Sequence, residues 1–458
     1  MPDETNLVVR KKTRAPKGVI ELPEISPPPP EWEEDEGPGP ARREPSAEVL
    51  SKAEQRYRES NEQTPPEVVI TSAPMTKNSL VTPIEVEAKT LWGFLEALEC
   101  ITVEKSEYPI LAGVKMRFIP GDEPRLLVEA NNKKVWAAAS LKAWGGNEEF
   151  AAVLPLQRAI SVIKRLASKY STITVGLDRE RIHVGNFSFP FFGKVEHFPK
   201  KPRLEDHLVS VTWSTLYATQ ILERVLPAVD ESDASYDWNL CGVFIDLESR
   251  AAVATNGKRM HVLELPLMKV EIDKRWKDAP TGVRLPLDVY RYIQAVEDRD
   301  WTGFRLGDTK VMIGSEDFGL VCNRLEGSFP DWSKAVTEWP GQWVVDRDVF
   351  LSAVKEASLL LLGKDEPGIC LGFDLRAGSI AIVSSSVEGG RFERILKAKP
   401  SGKLLSFVTV TINPVFLLDA VDACRGSSLR IGVARENDQV TFRGDDNCFV
   451  AAIAPMRR

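Results

Sequence analysis

The sequence predicts an α+β protein made of three tandem copies of one domain, and three observations predict it. A proline-led apolar helix followed by short paired strands occurs three times. The copies start at a near-constant interval. The composition is that of a globular chain long enough to hold them. The middle copy is the clearest. Leu285-Pro286-Leu287 opens a run in which Leu287, Tyr290, Ile293 and Val296 recur every three residues, close to one helical face. Proline suits the helix start because the first turn cannot use the donor that proline lacks. Phe304-Arg305-Leu306, a turn at Gly307-Asp308 and Lys310-Val311-Met312-Ile313 then read as strands, and the copy closes at Phe329-Pro330.

The first copy runs from Leu154-Pro155-Leu156 through Ile160, Ile163 and Leu166 to Phe198-Pro199, and the third from Asn413-Pro414-Val415 through Leu417, Leu418 and Val421 to Val440-Thr441-Phe442. The helix-start prolines, Pro155, Pro286 and Pro414, stand 131 and 128 residues apart. That period is too long for a solenoid and fits a whole domain. The 458-residue chain is 43% hydrophobic and 27% charged, as a soluble globular protein is. It lacks the run of roughly 18 apolar residues that a membrane helix needs, and its N-terminus lacks a signal-peptide core. A cytoplasmic protein is expected. Six scattered cysteines without a C-x-x-C pair predict free thiols, not disulfides or zinc. The net charge of −7 argues against indiscriminate nucleic-acid binding and permits a local basic surface.

In chain order, residues 1–80 hold the proline run Pro27-Pro28-Pro29-Pro30 and a mostly acidic stretch from Glu31 to Glu36. Such a composition predicts a disordered tail. Domains are expected at 81–203, 204–339 and 340–458. In the first, Ile84-Glu85-Val86 alternates as a strand, Leu91, Phe94, Leu95 and Leu98 mark a helix face, and Asn131-Asn132 turns a hairpin. The second repeats the order with a helix from about Ser214 to Leu226 and a hairpin around Asn256-Gly257. In the third, Asp346 is placed to cap a helix. Each copy therefore reads strand, helix, strands, helix, strands, with two helices on antiparallel sheets.

Four motifs sit on this repeat in order. They are Asn239-Leu240-Cys241-Gly242-Val243, Val253-Ala254-Thr255-Asn256-Gly257-Lys258-Arg259-Met260, Glu326-Gly327-Ser328-Phe329-Pro330-Asp331-Trp332, and the ending Ile453-Ala454-Pro455-Met456-Arg457-Arg458. With Tyr108-Pro109-Ile110-Leu111 they resemble the bacterial sliding clamp, the beta subunit of DNA polymerase III, over residues 82–458. The resemblance implies a non-catalytic, head-to-tail homodimer. Its six clamp-type domains form a ring that encircles double-stranded DNA and tethers the replicative polymerase for processive synthesis. It implies helices around the hole and sheets on the rim, no cofactor and no metal.

Inner helices of such a ring need weak, sequence-independent phosphate contacts. The candidates are Lys164, Arg165 and Lys169 on the first copy, Arg224 and Arg291 on the second, and Lys355 and Arg425 on the third, with Lys105 matching a basic position near DNA in the family. The resemblance also implies an apolar pocket where polymerase and clamp-loader subunits dock short linear motifs. Its matching positions are Leu240, Thr255, Gly257, Arg259 and Met260, then Pro330 and Ala335, then Ala452, Ala454, Pro455 and Met456. The chain departs from the family at Asn256, Lys258, Ala454 and Arg458, where Asp, His, Met and Leu are usual, and Asp237 stands where Arg is frequent. No G-x-S-x-G, P-loop or paired-histidine metal motif points to an enzyme. The alternatives are a divergent clamp paralogue recruiting a specialised repair or non-replicative partner and a clamp-fold interaction protein that does not bind DNA.

Overall fold

The computed structural model describes residues 81–102, 107–204, 208–229, 240–274, 276, 280–296, 301–314, 318–325, 327–361 and 368–456. The expected tail, Lys105, Asp237, Asn239, Glu326, Arg457 and Arg458 lie outside them. Among the described residues six α-helices appear: α1 (Ala88–Leu98), α2 (Leu156–Ala167), α3 (Thr215–Gln220), α4 (Leu287–Ala295), α5 (Arg347–Ser358) and α6 (Pro414–Ala423). They fall two to a repeat, between antiparallel strands, so the α+β reading stands.

Local chemistry starts the helices after α1, whose Glu87 makes no capping bond. Pro155 and Pro286 are the extended residues just ahead of α2 and α4. The Asp346 carboxylate accepts from the Val349 N–H at 2.9 Å and the Asn413 side chain from the Val415 N–H at 3.0 Å, each satisfying a donor of a first turn. The helix expected from Ser214 to Leu226 is α only to Gln220 and widens into a π turn over Ile221–Val225 before a 3-10 turn over Leu226–Ala228. Pro227 has no N–H to return to the preceding turn, so a regular helix cannot continue through it. The apolar stripes face inward as their spacing requires. Leu91, Phe94, Leu95 and Leu98 of α1 are buried, as are Leu156, Ala159, Ile163 and Leu166 of α2. Each such Leu, Ile or Phe side chain contributes about 1.5–3 kcal/mol.

Strand pairing links the repeats. The first repeat's strand Val135–Gly145 pairs with its own Arg125–Asn131 on one side and with Phe318–Asn323 of the second repeat on the other, Trp136 facing Val321 and Ala138 facing Gly319. The second repeat's Arg259–Glu264 likewise takes on Phe449–Ile453 of the third, Arg259 facing Ile453 and Met260 facing Ala452. The result is a 13-stranded, a 9-stranded and a 4-stranded sheet. Helices cross the same two seams: α1 packs on α4, and α6 packs on Ile221–Val225. Among the sheet edges are Phe187–Pro190 of the first repeat and Arg391–Lys397 of the third.

All six cysteines are free thiols, as their scatter predicts. Burial pushes the Cys322 and Cys424 thiols up to about 12, which leaves them unreactive at neutral pH.

Candidate functional site

Two surfaces carry the residues singled out by the sequence. The first is the outer face of the helices. On α2, Arg158, Lys164 and Arg165 are exposed, Lys169 follows just beyond its end, and the helix contains no acidic residue. Lys164 and Arg165 lie in its last turn, where the helix dipole favours cations. The Lys164 Nζ also stands 5.1 Å from the Trp92 ring centre and 4.0 Å from the Glu96 carboxylate. Arg158 was not among the expected residues. Its spacing of seven from Arg165 puts both on one helical face, so the signal was present.

The other repeats differ. Arg291 on α4 is exposed with its guanidinium 4.0 Å from Asp288. Lys355 on α5 is exposed beside Glu356, which bonds Arg394 at 2.8 Å. Arg425 is exposed and paired to Glu223. Arg224 is a correction. It is fully buried, its Nη1 2.6 Å from Asp446, its Nε donating to the Ala423 carbonyl at 2.7 Å and its guanidinium 4.5 Å from the Phe449 ring centre. A guanidinium enclosed in this way cannot reach a phosphate; it pins α6 and the strand Phe449–Ile453 to the second repeat.

The second surface is the outer side of the second seam. The Thr255 Oγ1 donates to the Arg259 carbonyl at 2.6 Å and accepts from the Gly257 N–H at 3.1 Å, while the Asn256 side chain accepts from the N–H groups of Lys258 and Arg259. This tight turn sets Gly257 at φ 78°, a conformation that glycine adopts without strain. Leu240 lies against it: a Cβ there would stand 3.7 Å from Leu240 Cδ1. Met260 packs with Val262 and Val450 under Phe329, Trp332 and Val336. Phe329 stacks on Phe244 at 4.7 Å, and the Trp332 Nε1–H donates to Asp246 at 2.9 Å. Gln439 holds the covering segment by donating to the Ala335 carbonyl at 2.8 Å and accepting from the Thr337 N–H at 3.1 Å. The chain end is tied in, the Ala454 N–H donating to the Lys258 carbonyl at 2.8 Å and the Met456 N–H to the Thr411 carbonyl at 2.7 Å.

Thus Thr255, Met260 and Ala452 form a buried floor, Leu240 and Pro455 are half-buried, and Gly257, Pro330, Ala335, Ala454 and Met456 are exposed around it. Arg259 does not face outward with them. It is buried, bound to Asp419 and the Pro227 carbonyl and set 4.4 Å from the Phe416 ring centre. Phe329 and Trp332 are the wall residues that the motif contained and the expected set omitted. Behind this floor His261 is fully enclosed, its Nδ1–H donating to the Arg224 carbonyl at 2.7 Å. Burial, reinforced by the neighbouring Arg259 and Arg224, drives its pKa down to about 4. Among the described residues no cluster of His, Cys, Asp and Glu is arranged to hold a metal ion, and no helix is long and apolar enough to cross a membrane.

No protein-family model matches the chain. No curated protein matches it either. Solved structures do. The chain is similar to the DNA polymerase sliding clamp of Bacillus subtilis at 18% identity and TM-score 0.69, with 82% of this chain on 100% of that one. It is similar to the DNA polymerase III beta subunit of Thermotoga maritima with the same identity, TM-score and coverages. The beta subunit of Borrelia burgdorferi, solved with a natural product, aligns at 14% identity and TM-score 0.71, with 82% of this chain on 99% of that one. The fold is that of the bacterial sliding clamps.

Proposed function

We propose that two copies of the chain close head to tail into a ring of six repeats, which encircles duplex DNA and tethers a polymerase for processive synthesis. The observation that carries this reading is a pair of edge strands at the two places where the seam pairing has no partner among the described residues of the chain. At each seam the hairpin strand of one repeat receives the last strand of the next. Applied once more, the same rule asks Arg391–Lys397 of the third repeat to receive the last strand of a first repeat, Phe187–Pro190. A second copy supplies that strand and needs the mirror contact in return, so the heterologous interface closes on itself. Exposed apolar side chains stand on or beside both edges: Phe187 on one, Ile395, Val387 and Leu359 on the other. Left uncovered, such edges are aggregation templates.

In the closed ring the helices form the inner wall, and the cations of α2 with Arg291 and Lys355 meet phosphates without reading sequence. The second seam docks peptides with Leu or Phe anchors. Two buried anchors at about 1.5–3 kcal/mol each support micromolar affinity after ordering costs. Asp422, Asp348 and Glu356 on the third repeat's helices favour a second reading, a divergent clamp with a looser grip on DNA and a specialised partner.

One experiment tests the first reading. Light scattering should give a dimer, and Ile395→Asp should give a monomer. The dimer loaded on nicked circular DNA should be retained at physiological salt, and slide off when the circle is cut. Reversal of Lys164, Arg165 and Arg291 to Glu should keep the dimer and lose retention. A stable monomer of the unmodified chain, or retention indifferent to the reversal, overturns it.

A further inference from the structure

We propose that the outer face of the first seam is a docking surface for an acidic peptide segment of a partner protein. The proposal rests on the charge pattern of that face and not on ring closure. The two seams are superimposable in register. Trp136 faces Asn131 on one side and Val321 on the other, as Met260 faces Thr255 and Ala452. The turn Asn132-Lys133-Lys134 therefore occupies the place of Asn256-Gly257-Lys258. Lys201, three residues after Phe198, occupies the place of Trp332, three residues after Phe329.

Where the second seam presents Gly257, Trp332, Gln439 and Pro455, the first presents Lys133, Lys201, Lys310 and Arg324. Lys134 matches Lys258. Four of the five cations, Lys133, Lys134, Lys310 and Arg324, are linked through the main chain, and Lys201 joins them over the Trp136 ring. The Asn323 N–H donates to the Lys134 carbonyl at 3.1 Å, Asn323 pairs with Lys310 in register, and the Arg324 N–H donates to the Thr309 carbonyl at 3.0 Å. The Lys201 Nζ lies 4.8 Å from the Trp136 ring centre, and the Lys133 Nζ 3.2 Å from that of Tyr108.

Among the described residues none of the five has a carboxylate partner. Glu129, the acid beneath them, is buried and taken, bound by the Lys115 Nζ at 2.8 Å and by the Trp136 Nε1–H at 3.2 Å. Asp288 accepts from the Asn132 side chain at 3.1 Å. Asp308 is exposed in the turn before Lys310. A chain of net charge −7 thus concentrates uncompensated positive charge on one sheet face, at a cost in self-repulsion. An acidic partner removes that cost. Next to the cations runs an open groove of about 610 Å³ on the same face, floored by Ser210, Thr212, Gly303 and Gly314, sided by Met312 and Arg305, with Glu271 at its rim. Met312 pairs with Val321 and so joins the groove to Trp136. Small floor residues leave room for an extended peptide, and Gly303 is obligatory because a Cβ there would stand 1.9 Å from the Val211 carbonyl oxygen. A nucleic acid fits less well. Trp136 is 3% exposed and covered by Lys201, so the ring is not offered to a base as a stacking platform.

The test is fluorescence anisotropy, starting at physiological ionic strength, with a fluorescein-labelled decapeptide of glutamates around one central leucine. The charge-reversed variant carries Lys134→Glu, Lys201→Glu, Lys310→Glu and Arg324→Glu. The expected result is affinity lower by roughly tenfold or more, with binding to the unmodified protein weakening as salt rises. A control set with the same sign change, Arg158→Glu, Lys164→Glu and Arg165→Glu on α2, should leave affinity within about twofold, since those residues lie outside the patch. The Ile395→Asp monomer should bind the peptide as well, which reads this surface apart from the ring. A Lys→Gln and Arg→Gln version of the first variant, checked by circular dichroism, replaces it should the Glu version misfold. Equal weakening in both sets makes net charge the cause and overturns the proposal. Tighter binding of a labelled single-stranded DNA oligonucleotide, lost in the same variant, overturns it as well.

Discussion

At the first seam Trp136 faces Val321 across the ladder; at the second Met260 faces Ala452. The backbone plan is the same, and nearly everything carried on it differs. On the outer side the first seam bears lysines over a tryptophan, and the second an apolar cover of Phe329, Trp332 and Val336. On the helix side the first is held by the Tyr292 hydroxyl donating to the Ala138 carbonyl at 3.1 Å and by Asn132 donating to Asp288. The second is held by two buried arginines and a buried histidine, Arg224, Arg259 and His261. Main-chain ladders fix which repeats join. Side chains are then free to make one joint an electrostatic surface and the other an apolar one.

The contrast predicts unequal sensitivity. The largest effect is expected from Asp446→Ala, which strands the enclosed Arg224 guanidinium without its counter-charge. Breaking a buried pair in this way costs about 3–5 kcal/mol. Asp288→Ala at the first seam loses one half-exposed hydrogen bond, about 1 kcal/mol. Urea denaturation of both variants measures the difference, and equal losses break the comparison.

An intermediate effect concerns pH. His261 titrates near 4 in the folded protein against 6.5 unfolded. The unfolded chain therefore binds the extra proton first, and stability falls as pH drops from about 6.5 towards 4, levelling below that. Between pH 6.5 and 5.5 the loss should be about 1 kcal/mol. His261→Gln should flatten that slope, as followed by melting in buffers across the range. An unchanged slope would place the titrating group elsewhere. The first seam has Ala137 at the matching position and contributes no such term.

The smallest effect belongs to Lys201→Met, which removes a cation over a buried ring and keeps the aliphatic stem. Stability should change by about 0.5–1 kcal/mol or less, against about 2–3 kcal/mol for Trp332→Ala at the matching place on the second seam, where a half-buried ring and its bond to Asp246 are lost. Thermal melts of the two variants sharpen the comparison by separating a surface charge from a structural cover.

Much of this was legible in the sequence. The helices after α1 declared themselves by a proline or a capping side chain, and α1 by its apolar stripe alone, because those signals are local. The place of Arg224 was legible as well. It follows Ile221 by three residues and Tyr217 by seven, on the face that turns inward, and positive charge alone suggested phosphate. Arg158 was legible by the same spacing from Arg165. The seams were not legible. Nothing near Ala138 specifies that its neighbour is Gly319, since alternating strands satisfy their main-chain bonds with any strand that arrives in register. The motif spacing puts Thr255, Gly257 and Met260 on one surface with Arg259, and only its distant partners Asp419 and Pro227 turn Arg259 inward.

The seam ladders also bear on how the chain reaches its native state. Ala139 must find Phe318, and Arg259 must find Ile453, across intervening segments of about 180 and about 190 residues. Non-local pairing of this kind is intrinsically slow, because loop entropy is lost before any contact repays it. Until it happens, Val135–Gly145 and Arg259–Glu264 each present a bare apolar edge to every other chain in solution. The time between collapse of a repeat and arrival of its neighbour's last strand is thus the period in which chaperones or dilution decide the yield. Refolding should grow less efficient with concentration well before the native protein shows any tendency to aggregate.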